Sequence, residues 1–295
     1  MKTVPAKTLL SRNQHKGWFG CDYNMNLYRG CTHGCLYCDS RSDCYHIDCF
    51  DEVVAKENAL SLLQKELARK VKTGVIASGA MSDPYNPFEA DTLLTRHSLE
   101  LVSAYGFGIA LATKSDLICR DIDILKEISA QSPVLCKLTI TTVRDDKSSV
   151  IEPFAPSSSR RLAALHRLSS AGLFTGVLLM PVLPWLTDDE GEILALVDAV
   201  AEAGARFIYP SFGVTMRAGQ RQYFLCGLDK AYPEQKWGEK YGKKYGTKYY
   251  CASPKAKILW EALTLRCQRH GLLYQMPEII AAYREGYENQ QLSFF

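Results

Sequence analysis

From Met25 onward, short runs of branched and apolar residues alternate with longer stretches whose apolar positions recur every three or four residues. MNLY (25–28) predicts a first strand. A helix is expected over 51–71, where Val54, Leu60, Leu63 and Leu67 fall at roughly helical spacing. TGVIASG (73–79) predicts a second strand, and DTLLTRHSLELVSAYG (91–106) a helix closed by Gly106. FGIALATKS (107–115) and DIDILKEISA (121–130) make the third pair. SPVLCKLTITT (132–142) and SSSRRLAALHRLSSAG (157–172) make the fourth, its helix carrying a serine cap and a glycine stop. LFTGVLLMP (173–181) with TDDEGEILALVDAVAEAG (187–204) is a fifth, and ARFIYPS (205–211) a sixth strand.

Strands and helices in this alternation imply parallel strands with right-handed crossovers. The pattern fits a doubly wound sheet or a full or partial barrel. In either, chemistry gathers at the carboxyl ends of the strands. The loops at Ser78-Gly79-Ala80, at Thr113-Lys114-Ser115 and after Thr142 should therefore converge with the loop that follows the first strand. No linker interrupts the series. We expect an α/β core over 1–211, a mostly helical extension packed on it over 212–287, and a free tail over 288–295. In the fourth strand Cys136, Leu138 and Ile140 alternate with Lys137, Thr139 and Thr141. A polar face on a sheet covered by helices is costly unless it lines a site, although hydroxyls bonded within the fold are the plainer alternative.

Composition narrows the class. With 47% hydrophobic and 23% charged residues the chain is an ordinary globular protein, and a net charge of +3 is too small to argue for a polyanionic partner. MKTVPAKTLLSRN has no apolar core of the secretory kind, and LFTGVLLMPVLPWL is short and broken by two prolines, so neither export nor a membrane role is expected. The eleven cysteines then read as reduced thiols in a cytoplasmic protein rather than a disulfide framework. Scattered members such as Cys119, Cys136, Cys226 and Cys267 suit small buried hydrophobes.

Three cysteines are not scattered. GCTHGCLYCDSR places Cys31, Cys35 and Cys38 as C-x₃-C-x₂-C on the loop after the first strand. Zinc would want a fourth ligand, for which Cys21, Cys44 or Cys49 are candidates. A [4Fe-4S] cluster held by three thiolates keeps one iron open to a small ligand, and Tyr37 would set an aromatic ring beside that corner. His33 and His46 have structural alternatives, as do Asp83, Tyr85 and Glu89 in the SDPYNP turn region. Cys251 and Cys267 are too widely spaced to make a convincing second metal site.

The triad with an aromatic before its third cysteine, following the first strand of a β/α series, resembles the radical S-adenosylmethionine (SAM) superfamily. NLYRGCTHGCLYCDSR, SGAMSDPYNPFEADTLLTR, TKSDLICRDIDIL and LTITTVRDDKSSVIEP resemble the branch containing spore photoproduct lyase and its relatives. The resemblance implies a partial (β/α)₆ TIM-type barrel with a [4Fe-4S] cluster and SAM as cofactors. It implies that an electron from the cluster cleaves SAM to methionine and a 5′-deoxyadenosyl radical that takes hydrogen from the substrate. By position it implies Cys31, Cys35 and Cys38 as cluster ligands and Tyr37 against the adenine. Ser78, Gly79 and Ala80 then fall at the methionyl amino group, and Lys114, Thr139 and Thr141 near ribose and carboxylate. A surface cation remains the alternative for Lys114. One departure stands out: the branch's hydrogen-returning cysteine has no counterpart, since Ala80 and Met81 occupy that loop. Cys44, Cys49 or a tyrosine would have to substitute.

Two further stretches point to a partner. KWGEKYGKKYGTKYY interleaves Lys236, Lys240, Lys243, Lys244 and Lys248 with Trp237, Tyr241 and Tyr245, a composition suited to phosphates and unstacked bases; a solvated loop is the alternative. The ending QLSFF, with Gln291, Leu292, Phe294 and Phe295, resembles the peptide by which bacterial repair proteins dock onto the DNA sliding clamp. The leading expectation is a radical SAM lyase of DNA repair, fed by a reductant such as flavodoxin or ferredoxin. The alternatives are radical chemistry on a peptide, a tRNA or a small molecule, and a non-enzymatic, zinc-stabilised clamp-binding module.

Overall fold

The computed structural model describes residues 2–14, 17–70 and 72–287. Its main sheet has seven strands: β1 (Leu10–Arg12), β2 (Tyr23–Met25), β3 (Val75–Ser78), β4 (Gly108–Thr113), β5 (Val134–Thr139), β6 (Thr175–Leu179) and β7 (Phe207–Pro210). They lie in the order β7-β6-β5-β4-β3-β2-β1, and β2 to β7 are all parallel. β1 is an antiparallel edge on β2. The two ends of the sheet do not pair, so this is the open, partial barrel with six parallel strands.

Alternation within each strand sorts the side chains. Ile76, Ile109, Leu111, Cys136, Leu138 and Val177 face outward and join Leu63, Leu99, Leu125, Leu165 and Leu196 of the covering helices in the larger apolar cluster. Each such fully buried side chain contributes about 1.5–3 kcal/mol. Val75, Ala77, Ala110, Leu135, Leu178 and Phe207 face the lumen. Helices start where polar caps allow it: Ser157 accepts from the Arg160 amide and Asp189 from the Glu192 amide.

The first helix is shorter than its periodicity suggests. Residues Val54–Lys56 form a strand instead, paired parallel with Thr3–Val4 and antiparallel with Tyr28–Arg29, and the helix runs only over Ala59–Ala68. Burial of Val53 and Ala55 between those partners outweighs helical propensity. The expected MNLY strand likewise splits, with Met25 in β2 and Tyr28 in this small sheet.

The segment after β7 supports the barrel on three sides. Gly213–Thr215 (β8) pairs antiparallel with Tyr250–Ala252 (β9). Helix Ala256–His270 packs beside helix Glu190–Glu202, and Leu273 adds a parallel bridge to Phe207, covering part of the open edge of β7. Helix Met276–Arg284 sends Ile279 and Tyr283 into the lumen cluster near the amino ends of the strands. The turn at Trp18-Phe19 spans the seam, since Phe19 meets Phe207 and Tyr209 at 5.9 and 5.6 Å between ring centres. No helix among the described residues is long and apolar enough to cross a membrane.

Candidate active site

At the carboxyl ends of the strands a cavity of about 460 Å³ is lined by all three cysteines of the triad together with Tyr37, Ser78, Gly79, Ala80, Lys114 and Thr139. Residues dispersed over more than a hundred positions are brought to one cleft. Thr141 is the exception. It is buried behind the cleft and its hydroxyl donates to Glu152 at 3.4 Å, so it is not a wall residue for SAM.

The cysteine loop is irregular backbone held from several sides. The Cys31 amide donates to Phe50 at 2.8 Å, the Leu36 amide to Ile151 at 2.9 Å, and the Ser82 hydroxyl to the Gly30 carbonyl at 2.5 Å. Gly30 has φ +79°, and a Cβ there would lie 2.5 Å from the Glu52 carbonyl oxygen, which only glycine avoids. From the other side Thr215 and Arg217 hold the Asp39 carboxylate at 3.0 and 2.9 Å, and Gln220 donates to the Tyr37 carbonyl. The segment beyond β7 thus fixes the loop's far edge.

Electrostatics divide the three thiols. Burial pushes Cys35 and Cys38 up. Burial also acts on Cys31, but the hydrogen bond and charge of His33 outweigh it and hold that thiol below its ordinary value. Burial alone would depress the His33 imidazole; Asp83, 3.4 Å away, and Cys31 raise it to about 10. Asp83 in turn would be raised by burial, yet His33, the Thr113 hydroxyl at 2.6 Å and the Lys114 amide at 2.9 Å hold it at about 2. Of the SDPYNP-region candidates, Asp83 therefore meets the site. Tyr85 lies outside the cleft wall, and Glu89 is committed to Tyr28, Arg120 and the Thr95 amide.

Beside the thiols the Lys114 ammonium stands 5.5 Å over the Tyr37 ring and makes no hydrogen bond to a described residue. Burial would lower it, but the negative charge of a Cys35 thiolate and of Glu152 outweighs burial and raises it above its ordinary value. Tyr37 faces the cleft while its hydroxyl donates to Glu152, which is buried in an ion pair with Arg161. Gly79 has φ +101°, and a Cβ there would fall 1.9 Å from the Ala112 carbonyl oxygen, so the Ser78–Ala80 loop lies directly on the neighbouring strand.

This donor set fits an iron–sulfur cluster and a zwitterionic ligand. Three thiols line the cleft together with the Lys114 ammonium, which has no hydrogen-bond partner among the described residues, and the hydroxyls of Ser78 and Thr139. A single zinc ion would need its sulfurs about 2.3 Å from one centre. Among the described residues no three His, Cys, Asp or Glu side chains are gathered so tightly, whereas a cluster's thiolates bind different irons.

The family model of the Radical SAM superfamily matches residues 25–197. The chain belongs to that superfamily. Its cofactors are a [4Fe-4S] cluster and SAM. An uncharacterized protein of Mycobacterium tuberculosis H37Rv is 32% identical over 238 residues, covering 78% of this chain and 70% of the relative. One of Methanocaldococcus jannaschii is 34% identical over 174 residues, 58% of this chain and 64% of the relative. Spore photoproduct lyase with bound AdoMet and dinucleoside spore photoproduct superposes with TM-score 0.64 at 16% identity, covering 92% of this chain and 81% of that one. A radical SAM methyltransferase of Kitasatospora setae gives TM-score 0.55 at 10% identity over 84% and 51%. At such identities these structures share the fold.

The basic aromatic stretch of this radical SAM protein needs correction. Trp237, Tyr241 and Tyr245 are not stacking faces: helix Trp237–Tyr245 turns all three into an apolar cluster with Cys35, Tyr37, Phe224 and Leu228. A spacing of four on a helix puts them on one buried side. Lys240 lies over the Trp185 and Trp237 rings, while Lys236, Lys243, Lys244 and Lys248 are exposed. Exposed aromatics do reach the cleft rim, but they are Trp18 and Tyr250. Cys44 and Cys49 are exposed and off the cleft wall. Cys251 and Cys267 sit in different apolar clusters, which removes the paired metal site. Gln291, Leu292, Phe294 and Phe295 lie outside the described residues.

Sequence reasoning missed Glu152 and Arg161, which position Tyr37 from the far side of the barrel wall. The available signal was a glutamate set in the otherwise apolar run VIEPF.

Proposed function

We propose that this radical SAM enzyme holds its cluster through Cys31, Cys35 and Cys38, binds SAM along Ser78–Ala80, Lys114 and Thr139, and acts on a damaged base in nucleic acid. When bound, the cluster supplies the electron that splits SAM into methionine and a 5′-deoxyadenosyl radical. The chain's own residues prepare that event. The Lys114 ammonium offers charge to a carboxylate, Asp83 fixes the Lys114 backbone and the His33 ring, and Glu152 with Arg161 holds Tyr37 as a wall. The segment beyond β7 covers the cysteine loop and limits water access.

The observation that carries the reading is the convergence on one cleft of three thiols and the Lys114 ammonium, which no described residue hydrogen-bonds. Support for nucleic acid is of a different kind. Spore photoproduct lyase, which shares the fold, binds a dinucleoside lesion, and here the rim offers Trp18 and Tyr250 with exposed lysines elsewhere on the extension. Tyr250 also lines the cleft, a tyrosine of the kind that could stand in for the missing branch-type cysteine. A flavodoxin- or ferredoxin-like reductant and clamp docking through the terminal peptide belong to the same proposal.

The test is anaerobic. Reconstituted protein with SAM and a chemical reductant should release 5′-deoxyadenosine, and irradiated DNA should raise that release and lose a lesion mass. A brown preparation that forms deoxyadenosine with a peptide, tRNA or small molecule but never with DNA would move the substrate. A colourless zinc protein would end the enzymatic reading.

A further inference from the structure

Below the residues assigned to the cofactors, the cleft wall contains a second lysine with nothing to do. Lys137 of β5 lies on the same strand face as Thr139, two residues and about 7 Å deeper in the barrel. It is 2% exposed and lines the cleft, yet its ammonium makes no hydrogen bond to any described residue. Its ammonium stands 4.6 Å from the centre of the Phe19 ring. Burial depresses it below its ordinary value, and among the described residues the only titratable groups acting on it are thiols: Cys21 on the lumen side and, through the strand, Cys136 of the opposite face. A ring face offers charge stabilisation but satisfies none of the three N–H donors. Ala112 is the lysine's register partner on the neighbouring strand, and the cleft it lines also includes Ala77 and Asn24, above a lumen cluster of Phe19, Leu135 and Phe207. A buried donor with space before it is a feature that folding alone disfavours.

We propose that Lys137 anchors the buried end of the substrate, donating to a carbonyl or anionic oxygen on the portion that enters the barrel. The depth separates it from the groups assigned to SAM, and its position under Thr139 sets how far the reacting part descends. This rests on the proposed nucleic-acid reading only for the choice of probe. There the acceptor would be a base carbonyl, because a base edge, unlike a backbone phosphate, can enter a cleft of this size end-on.

Reconstituted wild-type protein and Lys137→Met are compared for affinity toward a UV-irradiated single-stranded oligonucleotide and toward SAM, and in cofactor-free form for thermal stability. The oligonucleotide should bind the variant about tenfold more weakly or worse, with SAM changed less than about twofold. The variant's Tm should be no lower, since methionine fills the same space without an unpaired donor. Equal oligonucleotide binding overturns the anchor. So does an equal loss of SAM affinity, which would place Lys137 with the cofactor, or a lowered Tm, which would make it a structural partner of Phe19. Should wild-type protein fail to bind the oligonucleotide, the substrate class is wrong and the lysine is judged separately. Reductive methylation with formaldehyde, mapped by peptide mass spectrometry, reports access to Lys137. Protection by thymidine, by inorganic phosphate or by acetate upholds the acceptor subsite and names its source. Protection by none of them overturns it.

Discussion

Two stretches of this chain mix cysteines or aromatics with polar residues, and they end in opposite ways. The loop over 30–41 has no regular period, and its hydrogen bonds go to Phe50, Ile151 and Ser82, so Cys31, Cys35 and Cys38 can all face one cleft. The stretch over 236–248 is a helix for most of its length, and its period decides for it. Trp237, Tyr241 and Tyr245 fall on one side and are buried, leaving lysines on the other. Irregular backbone collects unlike side chains at a point; regular backbone sorts like with like. Chemistry read from composition alone therefore transfers to loops better than to helices.

The largest effect should come from the loop. Replacing Cys31, Cys35 or Cys38 with alanine should abolish cluster assembly, measured as iron and sulfide per chain, and drop deoxyadenosine release to that of cluster-free protein. Chelating the metal from wild-type protein should do the same. The fold should survive, because the loop's backbone anchors are unchanged. A variant that keeps its cluster and activity would reassign the ligands.

On the helix the expected loss is in stability. Trp237→Ala or Tyr241→Ala should cost about 3–5 kcal/mol in denaturant unfolding, through cavities in the apolar cluster that backs Cys35 and Tyr37. A comparable loss, about 3–5 kcal/mol, is expected for Glu152→Gln, which leaves the buried Arg161 guanidinium without its counter-charge. If Trp237→Ala instead unfolds like wild type but binds DNA poorly, the ring is a base platform and the burial argument fails.

Lys137 adds a pH signature from the barrel interior. Its folded-state value lies below the 10.5 of the unfolded chain, so between the two the unfolded state holds the extra proton. Wild-type stability should therefore rise relative to Lys137→Met as pH climbs through the folded value toward 10.5, and fall behind again as pH drops through it. Chemical unfolding across that window reads the gap, with Cys21 and Cys136 present in both proteins. A constant gap would mean that the lysine is solvated.

What was legible in the sequence was local. The β/α series and the cysteine spacing each live within a few residues, and both emerge in the structure; the partial barrel, which the pattern alone leaves open against a doubly wound sheet, comes from the family resemblance. What was not legible required partners far along the chain. Nothing near Val54 announces that it will pair with Thr3–Val4 and Tyr28–Arg29 rather than start a helix. Tyr37 meets Glu152 across 115 residues, and Tyr283 meets the Phe19 carbonyl across 264. Thr141 shows the limit of strand alternation: it continues the polar face of Lys137 and Thr139, but β5 has ended at Thr139, and its hydroxyl turns to Glu152.

The smallest expected effect separates the lysines from the rings they alternate with. Lys243, Lys244 and Lys248 are exposed, so changing all three to glutamine should move stability by no more than about 0.5 kcal/mol per site. If they meet phosphates, the triple variant should bind single-stranded DNA more weakly at low salt. The slope of log affinity against log salt should then be shallower by about 2, since each neutralised phosphate of a single strand contributes about 0.7. Lys240 serves as the internal control, because its ammonium lies over Trp185 and Trp237 and its loss should register in unfolding rather than in the salt slope. An unchanged slope in the triple variant would mean that the helix offers the solvent a charged face and nothing more, and the route of nucleic acid to the cleft would have to run past Trp18 and Tyr250 instead.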